Sequence, residues 1–295
     1  MVGMRKGIGP FAIAAVAVVA VMVIYGVVIG FLVGEHESVV RSVREREIIK
    51  MINEMEWVKK IIPQVMEYSF YQSAYSLGSQ GGYFNPNDAP SYDCIPYWRV
   101  YGSTFYPDSL ESNLNKTFET YLNSYAAALQ MDLPQYEISF QQDEDGFSVN
   151  IIGNGNLVVS RGIARVEDQP DFSEKFSLDF FDVFAKGRNF VEQDSIFSAI
   201  TNSLGVPCEE QQGMIISELR NLETDEMKLE VQNVQVDCEG HAAATVLVRI
   251  FSPEQYRVYD YEENTTELRN IQLKFLVVTG NAELINPEIN VCSSV

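Results

Sequence analysis

Histidine is almost missing from this chain: His36 and His241 are the two it has in 295 residues. Imidazole is the commonest general acid, general base and metal ligand near neutral pH, so chemistry of those kinds has little to work with. His36 lies among charges and His241 within a turn signal, so both read as solvated surface groups. Basic residues are scarce as well, 21 Lys and Arg against 41 Asp and Glu, for a formal charge of −20. Nucleic acids and anionic lipid faces both need clusters of Lys and Arg, which excludes them as partners of the acidic part. There is no Gly-x-Ser-x-Gly elbow, no His-Glu-x-x-His helix, no Walker loop and no Cys-x-x-Cys pair. The serine-hydrolase, zincin, P-loop and zinc-ribbon readings lose their residues. A glycosidase needs only two carboxylates, and 41 acidic residues supply candidate pairs by number alone. No catalytic, cofactor-binding or metal residue is therefore assigned, and no cofactor is expected. Internal repeats and low-complexity tracts are absent too.

What is present begins with residues 8–34, which carry no charged side chain, preceded by Arg5 and Lys6 and followed by Glu35, His36 and Glu37. As a helix at about 1.5 Å per residue such a run reaches roughly 40 Å, more than the about 30 Å of a hydrocarbon core. The expectation is a transmembrane anchor over residues 1–34, longer than the apolar region of a cleaved secretory signal. Residues 35–295 keep 19 of the 21 basic residues and all 41 acidic ones, a balance of −22. The basic residues beside the apolar run place the N-terminus in the cytoplasm and the rest outside, a single-pass membrane protein. Gly26, Gly30 and Gly34 recur every four residues, share one helix face and are candidate helix-packing positions.

The segment Arg5-Lys6-Gly7-Ile8-Gly9-Pro10-Phe11, directly before the apolar run, resembles the class III signal peptide of archaeal type IV pilin-like proteins. In that family a basic residue and a glycine precede the cleavage point, and the apolar helix left behind packs into a filament core. The resemblance covers about the first thirty residues and implies processing between Gly7 and Ile8. Gly78-Ser79-Gln80-Gly81-Gly82-Tyr83, Ile95-Pro96-Tyr97-Trp98 and Phe275-Leu276-Val277-Val278-Thr279-Gly280-Asn281 look like segments of single-pass archaeal surface proteins. No activity comes with that likeness.

Residues 35–82 read as a helical stalk continuing from the anchor. Glu37 with Arg41, Arg41 with Glu45, Lys50 with Glu54 and Glu56 with Lys60 are opposite charges four apart. Ile48, Met51, Ile52, Met55, Val58, Ile62 and Val65 form an apolar stripe at helical spacing. Pro63 predicts a kink or a fresh helix start, and Gly78, Gly81 and Gly82 mark the end. Residues 83–295 read as an α+β domain with a mainly antiparallel sheet and packed helices. Its first part, to Pro107, mixes prolines with Tyr92, Tyr97, Trp98, Tyr101, Phe105 and Tyr106, an extended segment pinned by its rings rather than a glycan or peptide groove. Asp108 or Ser109 caps a helix with the face Leu110, Leu114, Phe118, Tyr121, Leu122, Tyr125 and Leu129. Period-two stretches follow at 136–140, 147–152 and 157–166, with Asp143–Gly146 as a turn rather than a calcium loop. Helices are expected at 190–204 and 209–222, a hairpin at 227–236 with 242–251, and a last strand at 270–279.

Cys94, Cys208, Cys238 and Cys292 all fall on the expected outer side, where two disulfides with three possible pairings are the ordinary outcome. Asn115-Lys116-Thr117 and Asn264-Thr265-Thr266 are glycosylation sequons, making Asn115 and Asn264 candidate sites. Two functions remain in play. One is a structural or assembly role at the cell surface, pilin-like, with other membrane or surface subunits as partners. The other is a membrane-tethered enzyme or ligand-binding module, which needs a deep cleft lined by carboxylates or by the aromatics of residues 92–106.

Overall fold

The computed structural model describes residues 10–129, 133, 135–143, 146–161, 164–168, 172–174, 179–193, 195–237, 239, 241–260, 265–289 and 292. In chain order the elements are α1 (Pro10–Ser79), β1 (Ser91–Tyr92), β2 (Ile95–Val100), β3 (Ser103–Thr104), α2 (Leu110–Ala128), β4 (Tyr136–Asp143), β5 (Gly146–Gly153), β6 (Leu157–Arg161), β7 (Ala164–Asp168) and β8 (Phe172–Glu174). There follow α3 (Phe180–Glu192), α4 (Ser195–Ser203), α5 (Cys208–Asn221), β9 (Met227–Val236), β10 (Ala242–Asp260) and β11 (Thr265–Gly280). The chain divides into two compact units, Met1–Trp57 with Val158–Asp168, and Val58–Leu157 with Gln169–Val295.

In the first unit α1 is helical through the apolar run and on into the charged stretch without a break. Here the transmembrane expectation is corrected: among the described residues no helix is long and apolar enough to cross a membrane. Further along, Met51 and Met55 are buried while Ile48 and Ile52 are exposed, so only part of the expected stripe is covered. β6 and β7 form a two-stranded sheet.

In the second unit the remainder of α1 is no free stalk. Val58, Ile62, Val65, Met66, Phe70, Ala74 and Leu77 are buried core residues. Pro63 sits inside the helix without ending it. The helix stops where Gly81 and Gly82 take φ of 61° and 83°, a left-handed turn that lets Gly82 N donate to Leu77 O at 2.8 Å.

A six-stranded sheet, curved as a half-barrel, organises this unit, in the order β1-β2-β11-β10-β9 with β3 on β2. Its pairs are antiparallel except β2 with β11, which run parallel. Alternation along the strands separates two faces. Trp98, Val246, Val248, Ile250, Leu273, Phe275 and Val277 face α3, α4 and α5 through Val183, Val191, Ile196, Ile200, Ile215 and Leu219. Tyr97, Ala243, Leu247, Leu276 and Val278 face the other way and are covered by Ile285. Burying these side chains, at about 25 cal/mol per Å² of apolar surface, is what holds the helices to the sheet. Trp98 stacks on Phe275 with centroids 4.2 Å apart and donates its indole N–H to Gly81 O at 2.9 Å. The aromatic segment is thus pinned by burial. α2 is capped by Ser109, whose hydroxyl accepts from Ser112 N, and it buries Leu110, Leu114, Phe118 and Leu122. A separate three-stranded sheet has the order β4-β5-β8.

β10 and β11 outrun the expected strands. Pro253 has no amide hydrogen, which argues against a strand interior. The register between β10 and β11 shifts between Phe251 and Gln255, so Ser252, Pro253 and Glu254 form a bulge and pairing resumes through Asp260. Ser252 Oγ accepts from Ile271 N at 2.9 Å and donates to Glu254 O, while Asn270 Nδ2 donates to Ser252 O at 2.7 Å. Two short polar side chains satisfy the backbone groups that the bulge releases.

Candidate functional site

Beyond that bulge β10 loses a neighbour, because β9 pairs with it only over Ala242–Ile250. Helix α1 replaces the missing strand. The Gln72 amide, 2% exposed, donates from Nε2 to Tyr259 O at 3.2 Å and accepts from Tyr259 N at 2.8 Å. One turn before Gln72, Tyr68 lies on the same helix face. The Tyr71 ring meets that of Tyr256 with centroids 4.8 Å apart.

Around this junction opens a cavity of about 680 Å³ lined by Tyr68 of α1, Tyr125 of α2, Arg257, Val258 and Tyr259 of β10, and Thr266 of β11. Tyr259 and Thr266 are cross-strand partners, which brings the phenol and the threonine hydroxyl side by side. Val258 is buried at 2% exposure, whereas Arg257 and Thr266 reach solvent. Arg257 Nη1 donates to Tyr68 Oη at 3.4 Å. Burial first, then the neighbouring Tyr121, Tyr259 and Tyr68, raises the Tyr125 hydroxyl above the usual phenol range. It therefore stays a neutral donor and acceptor at ordinary pH. The described lining holds ring faces, hydroxyls and one guanidinium but no carboxylate, thiol or imidazole. Such a set can hold a ligand, and it offers no nucleophile with a base beside it.

The aromatics of residues 92–106 converge far less. Tyr92 and Tyr97 line a cleft of about 200 Å³ with Glu288, below the roughly 300–1,000 Å³ usual for a ligand site. Tyr97 donates its hydroxyl to Glu288 O at 3.1 Å, and burial first, with Glu288 and Tyr92 adding to it, pushes its pKa up to about 12. Asp237, Glu239 and His241 bring potential ligand atoms within 4.8 Å of one another. Asp237 Oδ1 accepts from Glu239 N and His241 N, and its Oδ2 meets His241 Nδ1 at 2.8 Å, so these groups already brace their own turn.

Cys94 and Cys292 form a disulfide across 198 residues, their Cα atoms 5.2 Å apart. Cys208 is also disulfide-bonded, and Cys238 lies outside the described residues. Asn115 sits within α2, with its amide oxygen buried and without a hydrogen-bond partner among the described residues. Thr117 of the same sequon is buried, its hydroxyl donating to Asn113 O. Asn264, Gly7 and Ile8 fall outside the described residues. Gly26, Gly30 and Gly34 have no atom within 4 Å of where a Cβ would stand.

Sequence reasoning missed Tyr68, Tyr125, Arg257, Tyr259 and Thr266 as a group. Their one sequence trace is that Tyr125 and Tyr68 are aromatics at the polar edges of otherwise apolar helix faces. Compared with known proteins, the chain matches no protein family, no curated protein and no solved structure.

Proposed function

We propose that the protein has a structural or assembly role outside the cytoplasm, as a pilin-like surface subunit whose α1 packs against α1 of neighbouring copies. One observation carries this: Val21, Met22, Val23, Ile24, Tyr25, Val27, Val28, Ile29, Phe31, Leu32 and Val33 are each at least 50% exposed. A continuous apolar surface of that kind marks an interaction site. Gly26, Gly30 and Gly34 support the same reading, since nothing stands within 4 Å of their missing side chains and small residues four apart let two helix backbones approach closely. The Cys94–Cys292 bridge fits an oxidising compartment. The sequence Arg5-Lys6-Gly7 before Ile8 supports pilin-like processing.

The test combines N-terminal mass determination with sedimentation of the native chain and of Gly26→Leu/Gly30→Leu. A mature chain starting at Ile8 that assembles in its native form and falls to monomer in the double variant is the expected result. Leucine is also a better helix former than glycine, so the variant's helix should be intact and the loss should belong to packing between copies. A chain that begins at Met1 or Met4 and sediments as a monomer at every concentration would remove the proposal.

A further inference from the structure

We propose that the tyrosine-lined cavity beside Gln72 is a binding site for a carboxylated sugar. Its volume of about 680 Å³ lies within the usual range for a ligand site, and its lining specifies the chemistry. Tyr68, Tyr125 and Tyr259 line it, and the faces of aromatic rings carry a negative quadrupole that suits the C–H face of a pyranose. Their hydroxyls and that of Thr266 act as donor or acceptor, as the hydroxyls of a sugar require. Val258 is the one aliphatic residue of the described lining, so a purely apolar ligand finds little there to cover it.

The negative charge of the ligand follows from Arg257. Other arginines of this unit already hold carboxylates: Arg188 that of Glu192, Arg249 that of Glu230 and Arg269 that of Glu267. Arg257 has no carboxylate partner among the described residues, and its recorded contact is the Tyr68 hydroxyl at 3.4 Å. Glu267, the cross-strand partner of neighbouring Val258, is taken by Arg269 and by the Thr265 hydroxyl. In a chain of charge −20, a guanidinium kept clear of carboxylates at the wall of a cavity has its planar fork of donors open to one from outside. The Tyr68 hydroxyl steadies the side chain from one end.

Calorimetric titration of the full chain with trigalacturonate and with the uncharged galactose trimer tests this. Saturable binding of the acid trimer is expected, about tenfold or more tighter than the neutral one and weakening as salt rises. Arg257→Gln should bring the acid trimer down to the level of the neutral one, and Arg257→Lys should restore part of the difference. Tyr68→Phe, which deletes only the hydroxyl, provides a second variant and should weaken the acid trimer several-fold. The far-UV spectrum and melting of each variant report on its fold. Absence of saturable binding by the native chain, equal binding of the two trimers, or an Arg257→Gln variant that binds as the native chain does would each overturn the assignment. Because assembly is read by sedimentation and this site by titration, either proposal can fail without the other.

Discussion

Gln72 illustrates how one side chain sets the local geometry. It occupies a helix position flanked by aromatics, and a polar amide buried there costs several kcal/mol unless its groups are matched. The amide is matched by the N–H and C=O of Tyr259, the two groups that a neighbouring strand would otherwise have satisfied. Gln72→Leu keeps the volume near that of glutamine but leaves both backbone groups unpaired. It should cost about 1–3 kcal/mol, measured by urea unfolding, and hydrogen exchange should speed up at the Tyr259 amide. Retained stability with unchanged exchange would show that water serves as well as the amide. Gly187 is the opposite case, a position defined by what it lacks: a Cβ there would meet Leu273 Cδ2 at 2.9 Å and Trp98 Cζ3 at 3.0 Å. The helix rests against the sheet only because no side chain intervenes.

Among the elements, β10 and β11 show why length is hard to read from local pattern. Alternation in β10 is clear up to Phe251 and then meets Ser252-Pro253-Glu254, which ends a strand by every local rule. The structure absorbs these three residues as a bulge and resumes pairing at Gln255 with Asn270. Ser252 is 1% exposed and its hydroxyl takes the Ile271 amide, so Ser252→Ala strands a buried donor. The expected loss is about 1–2 kcal/mol, with faster amide exchange at Ile271 and little change at Phe275; uniform change along β11 would deny the bulge its local role. Helix α1 makes the converse point. Charge pairs and apolar spacing mark it as helical from sequence, but nothing local distinguishes a stalk in solvent from a helix whose residues beyond Val58 are core.

For the whole molecule, fifteen tyrosines and a net charge of −20 set the response to pH. Burial is the main cause that pushes Tyr71 and Tyr97 up to about 12 from their ordinary 10.0, and it raises Tyr83, Tyr136 and Tyr256 as well. A folded-state pKa above the unfolded one means that the folded chain binds more protons between the two. The stability these phenols share is therefore complete below about pH 10 and is lost as pH rises toward 12. Tyrosinate absorbance followed with the urea midpoint should show late ionisation coupled to falling stability, whereas phenols that ionise near 10 without any change in the midpoint would refute it. The sequence by itself determined what is periodic or compositional: the acidic balance, the helical state of residues 35–79, the Ser109-capped face of α2, and the β9–β10 hairpin, because each depends on neighbours a few residues apart. Only the tertiary structure decided that Cys94 meets Cys292, that β2 lies parallel to β11, and that Tyr68, Tyr125, Arg257 and Thr266 surround one cavity. Contacts across such separations are selected by how whole faces pack and by which edges are left to cover, and no local spacing encodes that choice.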